Sequence, residues 1–280
     1  MAKITGSGDA PVFAANSCTG VQVSTKALRM RRLFGADGRL LLVAMDHAGF
    51  MGPVPGLDLP TMAQVVAAGA DAVMTTYGTA RRASQRPGIL GQAALVVSLD
   101  IHAVEPEEQV LNALRLGADS VKVLASSGER GQWTALQHYA LVCERWGIPF
   151  QAEVIPGGFD QPEKHTPQNI ASVCRQAAEM GADYVKTFYT GDPESMRRVV
   201  DGATVPVVIL GGDRASDEDS LLRQVREALS VGVSGVAFGR NIWSHADPAG
   251  ITRRLVQVVH PAREVAVPDT ASELLAGTAP

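Results

Sequence analysis

The chain has 280 residues, of which 46% are hydrophobic and 19% charged, and its formal net charge is −4. That length suits one large domain or two small ones, and the composition allows a sizeable core. The mild acidity includes no basic or acidic block, which argues against nucleic acid or an anionic membrane as a main partner.

From the start of the chain, residues 1–26 read as an extension, 27–262 as one domain, and 263–280 as a tail rich in Ala, Pro and Thr. Residues 1–24 have neither the continuous apolar core nor the cleavage pattern of a secretory signal. No run of about 18 apolar residues occurs, so no membrane span is expected. Cys18, Cys143 and Cys174 have no metal-like spacing. An odd cysteine count without a secretory segment points to a reducing, cytoplasmic setting.

Eight short apolar runs then follow: Leu41–Met45, Ala72–Thr76, Ala94–Ser98, Ser120–Leu124, Phe150–Val154, Tyr184–Phe188, Val207–Leu210 and Val236–Phe238. They are rich in valine and bounded by Gly, Asp or Pro, as fully buried parallel strands are. Amphipathic helical stretches separate most of them. Pro106–Leu116 starts beside Glu105, Glu107 and Glu108, which suits the positive end of a helix dipole. Thr166 reads as an N-cap with Pro167 at the first helical position. Ser216 and Asp219 have capping-box spacing. Gly69, Gly117, Gly147, Gly181 and Gly232 read as helix-ending glycines. The weakest helical stretch lies between the second and third runs, where Pro87-Gly88 interrupts it. The alternation predicts an α/β chain folded as a single (β/α)8 TIM barrel. A doubly wound sheet fits less well, because Asp46–Pro53 after the first strand is not a GxGxxG turn.

In such a barrel, catalytic groups come from the C-terminal ends of the strands. Strand 1 ends in Asp46-His47, strand 4 carries Lys122, strand 5 Glu153 and strand 6 Lys186. The two lysines occupy matching places in Gly117-Ala118-Asp119-Ser120-Val121-Lys122 and Gly181-Ala182-Asp183-Tyr184-Val185-Lys186, on even strands and plausibly in one layer. Burying an ammonium ion is costly, so two amines flanked by Asp46 and Glu153 suggest acid–base and Schiff-base chemistry. The competing reading is a buried ion-pair network that only braces the barrel. Gly211-Gly212 after strand 7 and Gly239-Arg240 after strand 8 would bind phosphate through backbone N–H groups and a guanidinium. His47 is a further candidate for substrate binding or for orienting Asp46. His102, Tyr77 and Tyr189 also fall near strand ends. His138, His165, His245 and His260 read as ordinary helix or loop residues. No spacing of His, Asp or Glu argues for a metal.

Four segments together resemble the class I, Schiff-base aldolases of the DeoC/LacD-like group, which includes the archaeal-type fructose-bisphosphate aldolases. They are Val43–His47, Gly181–Thr187, Ile209–Gly212 and Gly235–Trp243, and the resemblance spans roughly 27–260. It implies a (β/α)8 barrel, Lys186 as the Schiff-base lysine, Asp46 as the strand 1 aspartate, and phosphate contacts after strands 7 and 8. It also implies a homo-oligomer, with decameric rings common in the group. The archaeal-type enzymes place a proton-donating tyrosine and then an arginine at the end of strand 5. Ile155 and Gly157 stand there in this chain, which argues against ordinary fructose-bisphosphate cleavage. The set Lys122, Glu153 and Lys186 is more similar to the tagatose-bisphosphate and sulfosugar aldolase branches.

The expected activity is therefore that of a lyase needing neither metal nor organic cofactor. Lys186 would form an iminium with a phosphorylated ketone of the dihydroxyacetone phosphate type, with Glu153 moving the proton. Lys122 would lower the pKa of Lys186 and hold Glu153, and Asp46 would position hydroxyls. The acceptor would be an aldehyde such as aspartate semialdehyde, or the substrate a sugar bisphosphate. Two alternatives are acyl transfer to coenzyme A on the same lysine, and a non-catalytic barrel that binds phosphosugars.

Overall fold

The computed structural model describes residues 24–86, 88–128, 131–212 and 217–263. Cys18, Ser216 and most of the expected extension and tail lie outside the described residues.

Eight parallel strands pair in sequence order and close into a barrel. They are β1 (Leu40–Ala44), β2 (Ala72–Thr76), β3 (Ala94–Leu99), β4 (Ser120–Ser126), β5 (Phe150–Ile155), β6 (Tyr184–Thr187), β7 (Val207–Leu210) and β8 (Gly235–Phe238). The seam sets Leu42 of β1 opposite Ala237 of β8. Each strand falls within about two residues of its predicted run, a normal spread for element ends. β4 runs longest because it pairs with β5 as far as Ser126 opposite Ile155.

The helices are α1 (Thr25–Phe34), α2 (Ala48–Met51), α3 (Leu59–Ala67), α4 (Tyr77–Ser84), α5 (Pro106–Arg115) and α6 (Gln132–Trp146). After these come α7 (Pro167–Glu179), α8 (Pro193–Ala203), α9 (Glu218–Ser230), α10 (Arg240–Trp243) and α11 (Pro248–Val259). Thr166 caps α7 as expected, accepting from the Asn169 N–H. The cap of α9 falls one residue later than expected. Asp217 accepts from both the N–H and the hydroxyl of Ser220, a pairing the spacing of Ser216 to Asp219 did not reveal. Among the described residues, no helix is long and apolar enough to cross a membrane. Cys143 and Cys174 are free and buried.

A Gly-Ala-Asp triplet precedes each of β2, β4 and β6, and it organises the N-terminal face of the barrel. Gly69, Gly117 and Gly181 all adopt positive φ, the left-handed turn that ends a helix at little steric cost. Each aspartate then accepts a strand N–H: Asp71 from Leu41 at 2.6 Å, Asp119 from Leu95 at 3.0 Å, and Asp183 from Phe150 at 2.8 Å. Each carboxylate also meets a cation. Lys26 and Arg32 of α1 reach Asp183 and Asp119, while Arg263 and His260 reach Asp71. Helix α1 thereby covers this end. Its Phe34 meets Tyr184 edge-to-face at 5.3 Å, beside the interior residues Leu42, Met74, Val96 and Val208.

His260 carries a consequence for stability. Its Nδ1 lies 2.7 Å from Asp37 Oδ2 and its Nε2 2.7 Å from Asp71 Oδ2. Two carboxylate acceptors require two N–H donors, so the ring is an imidazolium. Burial opposes that charge, but the carboxylates of Asp71 and then Asp37 outweigh it and raise the pKa above 6.5. A raised folded pKa gives stabilisation that is complete below the unfolded value and lost as pH rises through the folded one. The melting temperature should therefore decline as pH rises above the ordinary histidine value of 6.5, and His260→Asn should flatten that decline. An equal slope in both proteins would contradict the linkage.

Candidate active site

At the opposite, C-terminal face, the strand ends surround a cavity of about 520 Å³. Asp46, His47, Lys122, Glu153, Lys186, Gly211, Gly212, Gly239 and Arg240 all line it. All nine residues singled out in the sequence are thus brought to one place. His102, Tyr77 and Tyr189 are not among its lining residues. His102 sits in the turn after β3, and Tyr189 bonds Glu227 instead.

Four of these side chains form a linear ionic chain. Lys122 Nζ lies 2.9 Å from Asp46 Oδ2 and 3.0 Å from Glu153 Oε2. Lys186 Nζ lies 2.8 Å from the other oxygen of the same carboxylate, Glu153 Oε1. Strand pairing explains the last contact, since Glu153 is directly opposite Lys186. All four side chains are nearly excluded from water.

The chain is electrically asymmetric. Burial works against the Lys122 ammonium, yet Asp46 and Glu153 outweigh it and hold Lys122 above the usual lysine range. Burial also penalises the two carboxylates, but Lys122 and then Lys186 overcome it and hold both below their ordinary values. Deprotonating Lys122 would break ion pairs to two carboxylates. Deprotonating Lys186 would break one, to a carboxylate that keeps Lys122. Lys122 is thus tied to two carboxylates and Lys186 to one. The direct partners of Lys122 are Asp46 and Glu153, and these hold it charged.

The mouth beyond strands 7 and 8 is tightly built. The Arg240 guanidinium donates to the Gly212 carbonyl at 3.0 Å, and the Asn241 amide to the Gly211 carbonyl at 3.1 Å. A Cβ on Gly239 would stand 2.8 Å from the Ala44 carbonyl oxygen, and one on Gly211 3.1 Å from the Phe238 ring. Close packing against backbone therefore requires glycine at 239, and at 211 a side chain would have to displace Phe238 and Asn241 slightly. Gly212 differs: its φ is +57° and a Cβ there would meet nothing within 4 Å.

Several wall residues were not singled out in the sequence. Phe50 lies with its ring centroid 5.3 Å from Lys122 Nζ, covering the ammonium with an aromatic face. Trp243 donates its indole N–H to the Ala44 carbonyl and faces the His47 ring. Phe159, Asp160, His165 and Phe188 complete the side nearest β5 and β6. His165, read from sequence as an ordinary loop residue, therefore belongs to the cavity wall. Its signal was absent because it lies 10 residues beyond Ile155, the end of β5, and is carried back by the fold of the loop. Among the described residues, no group of three or more His, Cys, Asp or Glu side chains could hold a metal ion.

The chain is similar in sequence and in fold to known aldolases and synthases. The profile of the DeoC/LacD family aldolases matches residues 40–245. The 2-amino-3,7-dideoxy-D-threo-hept-6-ulosonate synthase of Halobacterium salinarum is 37% identical over 248 residues, covering 84% of this chain and 91% of that protein. The 2-amino-4,5-dihydroxy-6-oxo-7-(phosphonooxy)heptanoate synthase of Streptomyces griseus is 34% identical over 250 residues, covering 84% and 90%. A solved archaeal fructose-1,6-bisphosphate aldolase, its catalytic lysine covalently bound to the carbinolamine intermediate, superposes with a TM-score of 0.71. It is 25% identical and covers 84% of this chain and 99% of that one.

Proposed function

Because this chain belongs to the DeoC/LacD family of class I aldolases, we propose that it condenses a three-carbon ketone of the dihydroxyacetone phosphate type with aspartate semialdehyde. The products named for the two synthases support that pairing. A 4,5-dihydroxy-6-oxo compound is a β-hydroxy ketone, and its aldol bond joins C4 to C5. Opening that bond gives a 2-amino-4-oxobutanoate half, which is aspartate semialdehyde. The other half is dihydroxyacetone phosphate. The 3,7-dideoxy product opens to the same amino-aldehyde, but its three-carbon half carries no phosphate. Both relatives therefore point to the same acceptor and differ at the donor.

The observation that carries the mechanism is the ionic chain from Asp46 to Lys186. Neutral Lys186 would attack the donor ketone, and Glu153, 2.8 Å away, would receive the proton the ammonium gives up. The departing hydroxyl takes the proton back from Glu153 as water leaves, giving an iminium, and the freed carboxylate then accepts a proton from the adjacent carbon to leave a nucleophilic enamine. Lys122 would keep Asp46 and Glu153 paired throughout. Asp46 is left to orient donor hydroxyls, and His47 to contact substrate beside it. The backbone N–H groups of Gly211, Gly212 and Gly239, with Arg240, would receive the donor phosphate.

The test is condensation of dihydroxyacetone phosphate with aspartate semialdehyde, read by product mass, in parallel with unphosphorylated hydroxyacetone. A seven-carbon amino acid phosphate is the expected product, and its absence from the wild-type reaction would sink the acceptor assignment. Arg240→Ala then tests the phosphate site. A charge-assisted hydrogen bond contributes about 1.5–3 kcal/mol, so the phosphorylated donor should weaken by roughly 10- to 150-fold at about 1.4 kcal/mol per decade. Hydroxyacetone should be nearly unaffected. Equal losses for both donors, with a lower melting temperature, would mean that Arg240 only braces the barrel mouth through Gly212.

A further inference from the structure

We propose that His165 transfers the proton at the acceptor's aldehyde oxygen during C–C bond formation and cleavage. This rests on the condensation proposed above and assigns a step that the ionic chain leaves without a donor.

The carboxylates of Asp46 and Glu153 are both spoken for. Both oxygens of Glu153 bind lysines, and both acids are held ionised below their ordinary values. Asp46 therefore has no proton to give, and Glu153 is already engaged with the protons of Lys186 and of the donor carbon. The aldehyde oxygen needs a group that gives a proton on C–C bond formation and takes it back on cleavage. Imidazole is the side chain whose ordinary pKa suits both directions. Ile155 offers no proton at the end of β5.

His165 is the imidazole on the appropriate wall. It lines the cavity together with Lys186 and Glu153. Its Nε2 lies 2.9 Å from the Gly158 carbonyl oxygen, which only accepts, so Nε2 carries hydrogen. That leaves Nδ1 as the nitrogen that can exchange a proton. The ring also packs on Phe188, two residues beyond Lys186, with centroids 4.4 Å apart. It is thus held by its edge and by its face. Gly157 and Gly158, at φ +72° and +81°, form the tight turn that presents the Gly158 carbonyl. The other cavity imidazole, His47, lies against Trp243 on the β1 and β8 side, beside Arg240 and the proposed donor phosphate. The charged side chains that line the cavity with His165 are Asp46, Lys122, Glu153, Asp160, Lys186 and Arg240.

In synthesis, the enamine carbon forms a bond to the aldehyde carbon, and the carbonyl π electrons move to oxygen. The imidazolium gives its Nδ1 proton to that oxygen, leaving a hydroxyl and a neutral ring, while the enamine becomes an iminium. Cleavage reverses each transfer, and no oxidant or reductant is needed.

The discriminating variant is His165→Asn. Two reactions are followed in each protein: exchange of the donor's hydrogen from dihydroxyacetone phosphate into deuterated water, and condensation with aspartate semialdehyde. Exchange needs only the iminium and enamine, so it should proceed at the wild-type rate in the variant. Condensation should fall by about 100- to 10,000-fold in kcat, the usual worth of a positioned acid–base group. Undiminished condensation, or an equal loss of exchange, would overturn the assignment. Wild-type protein that fails to exchange dihydroxyacetone phosphate would instead sink the Lys186 mechanism, and this inference with it.

Discussion

Lys186→Met is expected to lower turnover by about 10⁴- to 10⁶-fold, the scale seen when a covalent nucleophile is removed. Its effect on stability should be small. Glu153 keeps its contact with Lys122 at 3.0 Å, so no buried carboxylate is left without a cation. The variant should therefore fold, melt near the wild-type temperature and bind the donor phosphate, while forming no iminium. Turnover within tenfold of wild type would place the nucleophile elsewhere.

Lys122→Met should show the opposite emphasis. Lys122 is the only cation that an ion pair joins to Asp46 among the described residues, and it shares Glu153 with Lys186. Removing it leaves two buried carboxylates with one amine between them. Breaking a buried ion pair from one side typically costs about 3–5 kcal/mol. For a domain of this size that is a fall of roughly 6–20 °C in melting temperature, at about 2–4 °C per kcal/mol. Activity should fall as well, because Lys186 would then be the sole cation left to compensate both carboxylates. A melting temperature unchanged from wild type would mean that water already satisfies Asp46 and Glu153. Matched side by side, the two lysines should separate cleanly: one variant loses chemistry at constant stability, the other loses both.

The barrel was legible because its strands are short valine-rich runs punctuated by glycine and aspartate, and buried parallel strands tolerate little else. The site was legible because Lys122, Glu153 and Lys186 interrupt those runs at strand ends, where charge has no structural reason to be. The repeated Gly-Ala-Asp triplet gave two of these positions directly, and the structure shows why it recurs: it pins alternate strands at the opposite face. Other features left no local trace. The closing of that face by α1 depends on Lys26 and Arg32 reaching Asp183 and Asp119, contacts across 157 and 87 residues of chain. The asymmetry between the lysines depends on where Asp46 lies around the barrel, which periodicity does not reveal. His165 comes from a loop and Phe50 from the one-turn helix α2, and neither element is long enough to show a period.

The central claim is that Lys186, and not Lys122, is the covalent nucleophile. The direct measurement is reduction with borohydride in the presence of dihydroxyacetone phosphate, followed by proteolysis and peptide mass spectrometry. The expected result is a donor-mass adduct on the peptide containing Lys186, absent from the Lys186→Met protein and absent from the Lys122 peptide. An adduct on Lys122, or a protein that turns over substrate with no adduct on either lysine, would contradict it.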